Sequence, residues 1–339
     1  MAAMTGTAGT RLRVVRLDRL SRTALVCSGA AVAALAALPY VFAAPVQNAL
    51  TTVFVLVTMA SMWNLLAGYA GLVSFGQQAF LGVGAYTVLV AARAGINPFL
   101  AVPLAAAVSV LIAVPLSYGL FRTRGAYFAI ATWVVAEALR LLVITVPALG
   151  GGEGATLPPT GLDPVVRTAA TYWTALAVVV ASLVGIWVLL RSRLGLDAAA
   201  VRDDEAAATA LGVGADLARR IPYVVSAAGF GAAGAVLLLA NLRVEPASIF
   251  NVNYSANAFF MALIGGVGTL EGPVVGAIVF FGLQFFLADL GSWYLVLLGT
   301  LAIVVMLVAP EGLWGRFSRR TGIVAFPVGY RTRDEDAPR

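Results

Sequence analysis

Two ionisable side chains stand inside a run that is otherwise hydrocarbon: Glu137 and Arg140, in the stretch TWVVAEALRLLV. Three residues apart, they share one helix face and can pair. A charge at that depth is costly and normally faces a partner or water, so the pair is either a structural ion pair or part of the lining of a path for a zwitterionic solute. Asn64, Ser74, Gln77, Gln78, Tyr127, Asn241 and Asn257 also lie within or beside apolar stretches. Each can hydrogen-bond a polar solute, although residues of this kind more often bond across helices. As a set they are pathway candidates. Asp289, close to Gly291 and Ser292, reads as interfacial. No second carboxylate stands where a proton relay needs one, which weakens the case for an ion-coupled carrier.

The absent residue types exclude as much as the present ones suggest. All 22 basic residues are arginine, histidine is absent, and Cys27 is the single cysteine. Without lysine the chain cannot form a Walker A loop, so any ATP hydrolysis of that kind belongs to another subunit. Without histidine and with one cysteine there is no usual zinc or haem ligand set, no disulfide within the chain and no His-based triad. No catalytic, metal-binding or cofactor-binding residue is assigned. The net charge of +6 does not indicate nucleic acid, because the arginines cluster beside apolar spans without aromatic interleaving.

These side chains need apolar helices to position them. Of the 339 residues 61% are hydrophobic and 11% charged, and the mean hydropathy is +0.94. That composition predicts an all-α, polytopic membrane protein. Apolar runs predict about ten transmembrane helices, at 24–44, 46–68, 72–92, 98–120, 126–147, 168–190, 222–242, 255–268, 272–289 and 293–309, some of them short or broken. The domain reading is a basic N-terminal segment over 1–23, one transmembrane domain over 24–315 and a tail over 316–339. With both termini in the cytoplasm, the arginine-rich connections fall on one side. Arg93, Arg167 and Arg243 then stand singly on the other side, where they can snorkel to the interface. The glycine-rich outer loop LGGGEGATLPP reads as a flexible connector.

Two stretches look alike, 68–86 (GYAGLVSFGQQAFLGVGAY) and 265–282 (GGVGTLEGPVVGAIVFFG). Each has clustered glycines, a polar residue (Ser74 or Glu271) and a span rich in small residues. Interrupted helices of this kind flank transport pathways, and small residues also serve plain helix packing. Both readings stay open.

The cytoplasmic stretch 191–221 contains VRDDEAAATALGV. Asp203 is expected to cap a helix of about eight residues with Glu205 in its first turn, Ala206, Ala207, Ala208 and Ala210 in its body and Gly212 as its stop. A second start is expected at Asp216, with Pro222 opening the next span. Either this is a rigid lever of two short helices, or an amphipathic loop that rests Arg191, Arg193, Arg219 and Arg220 on lipid headgroups.

In order along the chain, MWNLLAGYAGLVSFGQQAFLGVGAYT, RTRGAYFAIATWVVAEALRLLV, RDDEAAATALGV, ALIGGVGTLEGPVVGAIV and PEGLWG resemble the LivM-type permeases of branched-chain (hydrophobic) amino acid ABC importers. The resemblance covers roughly residues 46–316. Urea permeases of the same family are similar. It implies an all-helical transport subunit rather than an enzyme, paired in the bacterial inner membrane with a LivH-type permease, two cytoplasmic ATPase subunits that bind ATP and Mg, and an extracytoplasmic solute-binding protein. It also implies that an acid-Ala-Ala loop docks into the ATPase. The matching positions are Glu205, Ala206, Ala207 and Gly212, with Arg202 before them and the glycine one position later than in the common pattern; Asp203, Asp204 and Leu211 complete the set of ATPase-coupling candidates. The alternative function is an ATP-independent carrier or channel for a small polar solute such as urea or an amide. An intramembrane enzyme would need a catalytic constellation that the sequence lacks.

Overall fold

The computed structural model describes residues 12–15, 19–286, 311–321 and 331–334, with scattered positions between 296 and 307. The chain is all-α and polytopic in character. Five helices are long and apolar enough to cross a membrane. They are α2 (Ala44–Asn64) with the π-turn Leu65–Tyr69 that prolongs it, α4 (Ala101–Leu120), α5 (Ala126–Thr145), α6 (Pro164–Leu190) and α9 (Ala215–Asn241). Shorter helices join them: α1 (Arg19–Ala37), α3 (Gln78–Arg93), α10 (Pro246–Ile249), α11 (Asn253–Gly265) and α12 (Gly272–Phe286). The expected span 293–309 lies largely outside the described residues, and Asp289 lies wholly outside them.

Two helices form the centre. In the most apolar part of Ala44–Tyr69, 78% of the residues are buried, and in α9 72%, against 17% in α5. The close packing of α3 on α9 depends on missing side chains: a Cβ on Gly84 would lie 1.9 Å from the Gly231 carbonyl oxygen. Small residues thus bring backbones into contact where hydrocarbon offers no hydrophobic drive. Among the described residues α5 is the most exposed long helix and α9 is enclosed.

Several expected boundaries move, each for a visible reason. The run 24–44 is not one helix; Pro39 and Pro45 start a 3-10 turn (Leu38–Tyr40) and α2, because a residue without N–H is best placed at a helix start. The expected span 72–92 starts only at Gln78, since Gly71 takes φ +68 and residues 71–77 are mostly irregular. Pro222 does not open a span; α9 begins at Ala215 and runs through the proline. The glycine-rich outer loop is clasped, not a loose connector: β2 (Ala155–Thr156) pairs antiparallel with β3 (Arg243–Val244), and Arg243 donates to the Glu153 carbonyl. At the other end β1 (Leu12–Val15) pairs with β4 (Arg331–Asp334), which brings the segments preceding α1 and following the C-terminal helix Gly312–Thr321 together.

Candidate functional site

The polar candidates separate into three places. The first is the irregular break between α2 and α3. Asn64, Ser74, Gln77 and Gln78 are all buried there. Trp63 Nε1 donates to the Ser74 carbonyl at 2.9 Å, and the Ser74 hydroxyl oxygen accepts from the Gly76 N–H and Gln77 Nε2, both at 3.3 Å. Ser226 of α9 donates to Gln77 Oε1 at 3.4 Å. The Gln78 N–H donates to Ser255 Oγ at 3.2 Å, and the Ser255 hydroxyl donates back to Gln78 Oε1. Irregular backbone at depth is tolerated where protein re-satisfies its polar groups, which these side chains do.

Asn64 joins the two glycine-rich stretches. Its Nδ2 donates to the Thr269 carbonyl, and its Oδ1 accepts from the Gly268 N–H, each at 2.8 Å. Only glycine at position 68 permits this, since a Cβ there would lie 2.6 Å from Gly268 N. Ser226, Ser255, Thr132 and Thr269, partners of this cluster, were not singled out by the sequence. They are small hydroxyl residues inside apolar runs, and only the fold brings them to the break.

The second place is the outer face of α5. Arg140 Nε donates to both carboxylate oxygens of Glu137, at 3.0 and 2.9 Å. The pair is open: the Glu137 side chain is 46% exposed and that of Arg140 25%. Ile130, Trp133, Val134 and Leu141 are exposed around it. Tyr127, also exposed, stands at the start of the same helix. Asn241 lies apart at the far end of α9, beside a small cavity with Arg243 and Glu245, and Asn257 is half-buried on α11. The structure does not bring these two to the α5 pair.

The third place is the 191–221 segment, which forms α7 (Arg193–Asp203), α8 (Glu205–Ala210) and the first turns of α9. Asp203 is not the cap. It ends α7, and Asp204 caps α8, its carboxylate accepting from the Ala207 N–H at 2.9 Å. Asp204 is extended, at φ −154 and ψ 104, as an N-cap must be, so the second of two adjacent acids takes the role. The helix is six residues long rather than eight. Gly212 is its stop as expected, at φ +87.

Glu205 anchors α8 to the rest of the chain. Its carboxylate accepts from Arg219 at 2.7 and 3.1 Å and from Arg124 at 3.2 Å. The hydrogen bond from Arg219 holds the Glu205 carboxyl below the usual carboxylate range, against the opposing effect of burial, and the charges of Arg219 and Arg124 add to it. Ala208 packs with Val201 and Ala218, while Ala206, Ala207, Ala210 and Leu211 face outward. Arg219 and Arg220 are not free for headgroups: Arg220 lies 3.8 Å over the Tyr118 ring and Arg219 pairs with Glu205. A cavity of 440 Å³ is lined by the 70–73 break, the α4–α5 turn and the α7–α8 junction, with Arg124, Arg202, Glu205 and Arg219 in its walls.

Apolar helices of spanning length packed in a bundle define an all-helical, polytopic membrane protein in class. The chain belongs to the family described as the permease component of the branched-chain amino acid transport system, whose model matches residues 45–309. Two relatives are each named as the high-affinity branched-chain amino acid transport system permease protein LivM, from Salmonella typhimurium and from Escherichia coli. Each is 29% identical, over 74% of this chain and 65% of its own length. The chain thus matches a little under two thirds of the relatives it resembles. No solved structure matches it. These relatives are transport subunits and not enzymes.

Proposed function

We propose that the chain is the transmembrane permease subunit of an ABC importer that moves branched-chain amino acids, or related small polar solutes, into the cytoplasm by alternating access. Two partner ATPases, which bind the ATP and Mg, drive it; a LivH-type permease completes the membrane unit and an extracytoplasmic solute-binding protein delivers the solute. The arginine-rich connections face the cytoplasm of a bacterial inner membrane, which the distribution of arginine supports. The domain reading of 24–315 as one transmembrane unit, with short flanking segments, belongs to the same proposal.

The observation that carries this reading is Glu205. It pins α8 to Arg219 on α9 and to Arg124 at the α4–α5 turn, while the helix presents Ala206, Ala207, Ala210 and Leu211 outward. A short helix that is fixed to two spanning helices and bare on its other side can take a push from outside and pass it on. Asp203, Asp204 and Gly212 shape that unit, and the ATPases dock on its outward side. A ligand-driven change requires such contacts to differ between two states.

The α5 face lines the solute path against the second permease. Tyr127, Glu137 and Arg140 are open to the outside of the chain, and a half-exposed carboxylate at membrane depth calls for protein or water over it. The pair also presents both charges that an amino-acid zwitterion can exchange with. The test is copurification and reconstitution. Tagged chain should bring down ATPase subunits, and vesicles holding the complex should take up leucine only with ATP inside the compartment that contains the ATPases. A chain that purifies alone and moves urea or an amide without ATP would instead establish the channel or carrier alternative.

A further inference from the structure

We propose that Arg202 is an inward strut rather than a docking contact: it clamps the coupling segment to the end of the first broken helix, and through Asn64 makes both helix breaks follow that segment. This rests on the reading of α8 as the part that ATPases push.

Arg202 sits one residue from the end of α7, and its part-exposed side chain reaches the bundle. Its Nη1 donates to the Gly68 carbonyl at 2.5 Å, while Nε is held by Asp203 at 2.8 Å. The last carbonyls of a helix lack intrahelical partners. Gly68 lies in such a place, within the π-turn Leu65–Tyr69, and a charged donor from another element fills the vacancy. The contact is tight on both sides, since a Cβ on Gly71 would lie 2.9 Å from Arg202 Cγ. One turn earlier on the same helix, Asn64 holds Gly268 and Thr269. Residues 202, 68, 64 and 268–269 therefore form one unbroken path of hydrogen bonds and backbone from the segment outside the bundle to both of its interruptions.

The π-turn suits such a role. A wide π-turn at the end of an α-helix is a local departure from regular geometry, and such turns often mark functional positions. A hydrogen-bonded path carries coupling only where it biases an element with two arrangements. The turn and the irregular residues after it, which border the cavity behind α8, supply an element that can be re-formed without unfolding a span.

The test uses the full complex in lipid vesicles, with Arg202→Ala and Arg202→Lys compared with the unaltered chain. In Arg202→Ala, ATPase copurification and basal ATP hydrolysis should be retained, while leucine taken up per ATP hydrolysed falls at least about tenfold, the scale of one charged hydrogen bond. Lysine, which can still reach one carbonyl, should restore part of it. A second measurement needs no ATPase: hydrogen exchange on the full chain should quicken at 65–72 and at 266–270 together in Arg202→Ala. Loss of ATPase copurification from Arg202→Ala would make Arg202 a docking residue and overturn the proposal. Unchanged uptake per ATP, or faster exchange confined to 198–210, would overturn it too. If the unaltered chain binds no ATPase, the importer reading fails, and the exchange experiment still decides whether Arg202 joins the two breaks.

Discussion

The break between α2 and α3 and the outer face of α5 are both polar regions in apolar helices, but their hydrogen bonds end in different places. At the break, Ser74, Gln77 and Gln78 are buried and find their partners within this chain, Ser74 in the break itself and the two glutamines on α9 and α11. On α5, Glu137 and Arg140 bond to each other and, among the described residues, to no other side chain, and they remain part-exposed. Residue type does not separate the two. The location of the remaining hydrogen-bonding capacity does: a closed network holds a fold, and an open one is available to something outside it.

The sharpest way to test that contrast is to break each side and measure folding and transport separately. Gln78→Leu removes the acceptor of Ser255 in a dry environment, and each buried group left without a partner costs about 1–3 kcal/mol. We expect a lower unfolding temperature in detergent and a reduced yield of folded chain. Replacing Glu137 and Arg140 together by Gln should leave thermal unfolding close to the unaltered chain, since removing both partners leaves no unpaired charge behind, while uptake in vesicles falls severalfold. Equal loss of stability in the two variants would make the α5 pair structural and remove it from the path.

The anchor of α8 gives a prediction in pH. The Glu205 carboxyl is depressed by Arg219 in the folded chain, so the stabilisation is complete above the ordinary Glu value, about 4.3, and is lost as pH falls through the lower folded value. The hydrogen-exchange protection factor over 205–211, with the intrinsic pH dependence of exchange divided out, should be steady from about pH 5 to 8 and fall only in stronger acid. Glu205→Gln should show the lowered protection at neutral pH. The smallest effect is expected at Gly212, where open space surrounds the residue but φ is +87. Gly212→Ala should cost about 1 kcal/mol through strain at positive φ, visible as fraying of α8 with the membrane bundle intact.

Much of the architecture was legible in the sequence because hydrocarbon runs of spanning length are a strong signal. The helices α4, α5 and α6 begin and end close to where the apolar runs do. Boundaries failed where local chemistry competed: two prolines divided the first run, and α9 absorbed Pro222 because its early turns are held by side chains from elsewhere. The Glu137–Arg140 pair was readable from its spacing, since both members lie on one helix. The bonds of Asn64 to residues 268 and 269, and that of Arg202 to Gly68, were not, because more than a hundred positions separate the partners. Of the two adjacent acids at 203 and 204, sequence preference alone does not choose a cap; the extended backbone of Asp204 does.

The uninterrupted course of α9 gives the molecule a stiff rod. Its 27 residues span about 40 Å at 1.5 Å each, with the Glu205 anchor near one end and the β2–β3 clasp just past the other. Tilting such a rod by about 5° at one end carries the other about 3.5 Å. A nudge applied at the arginine-rich end is thereby delivered, without any change in the rod itself, as a displacement of the loops on the opposite face.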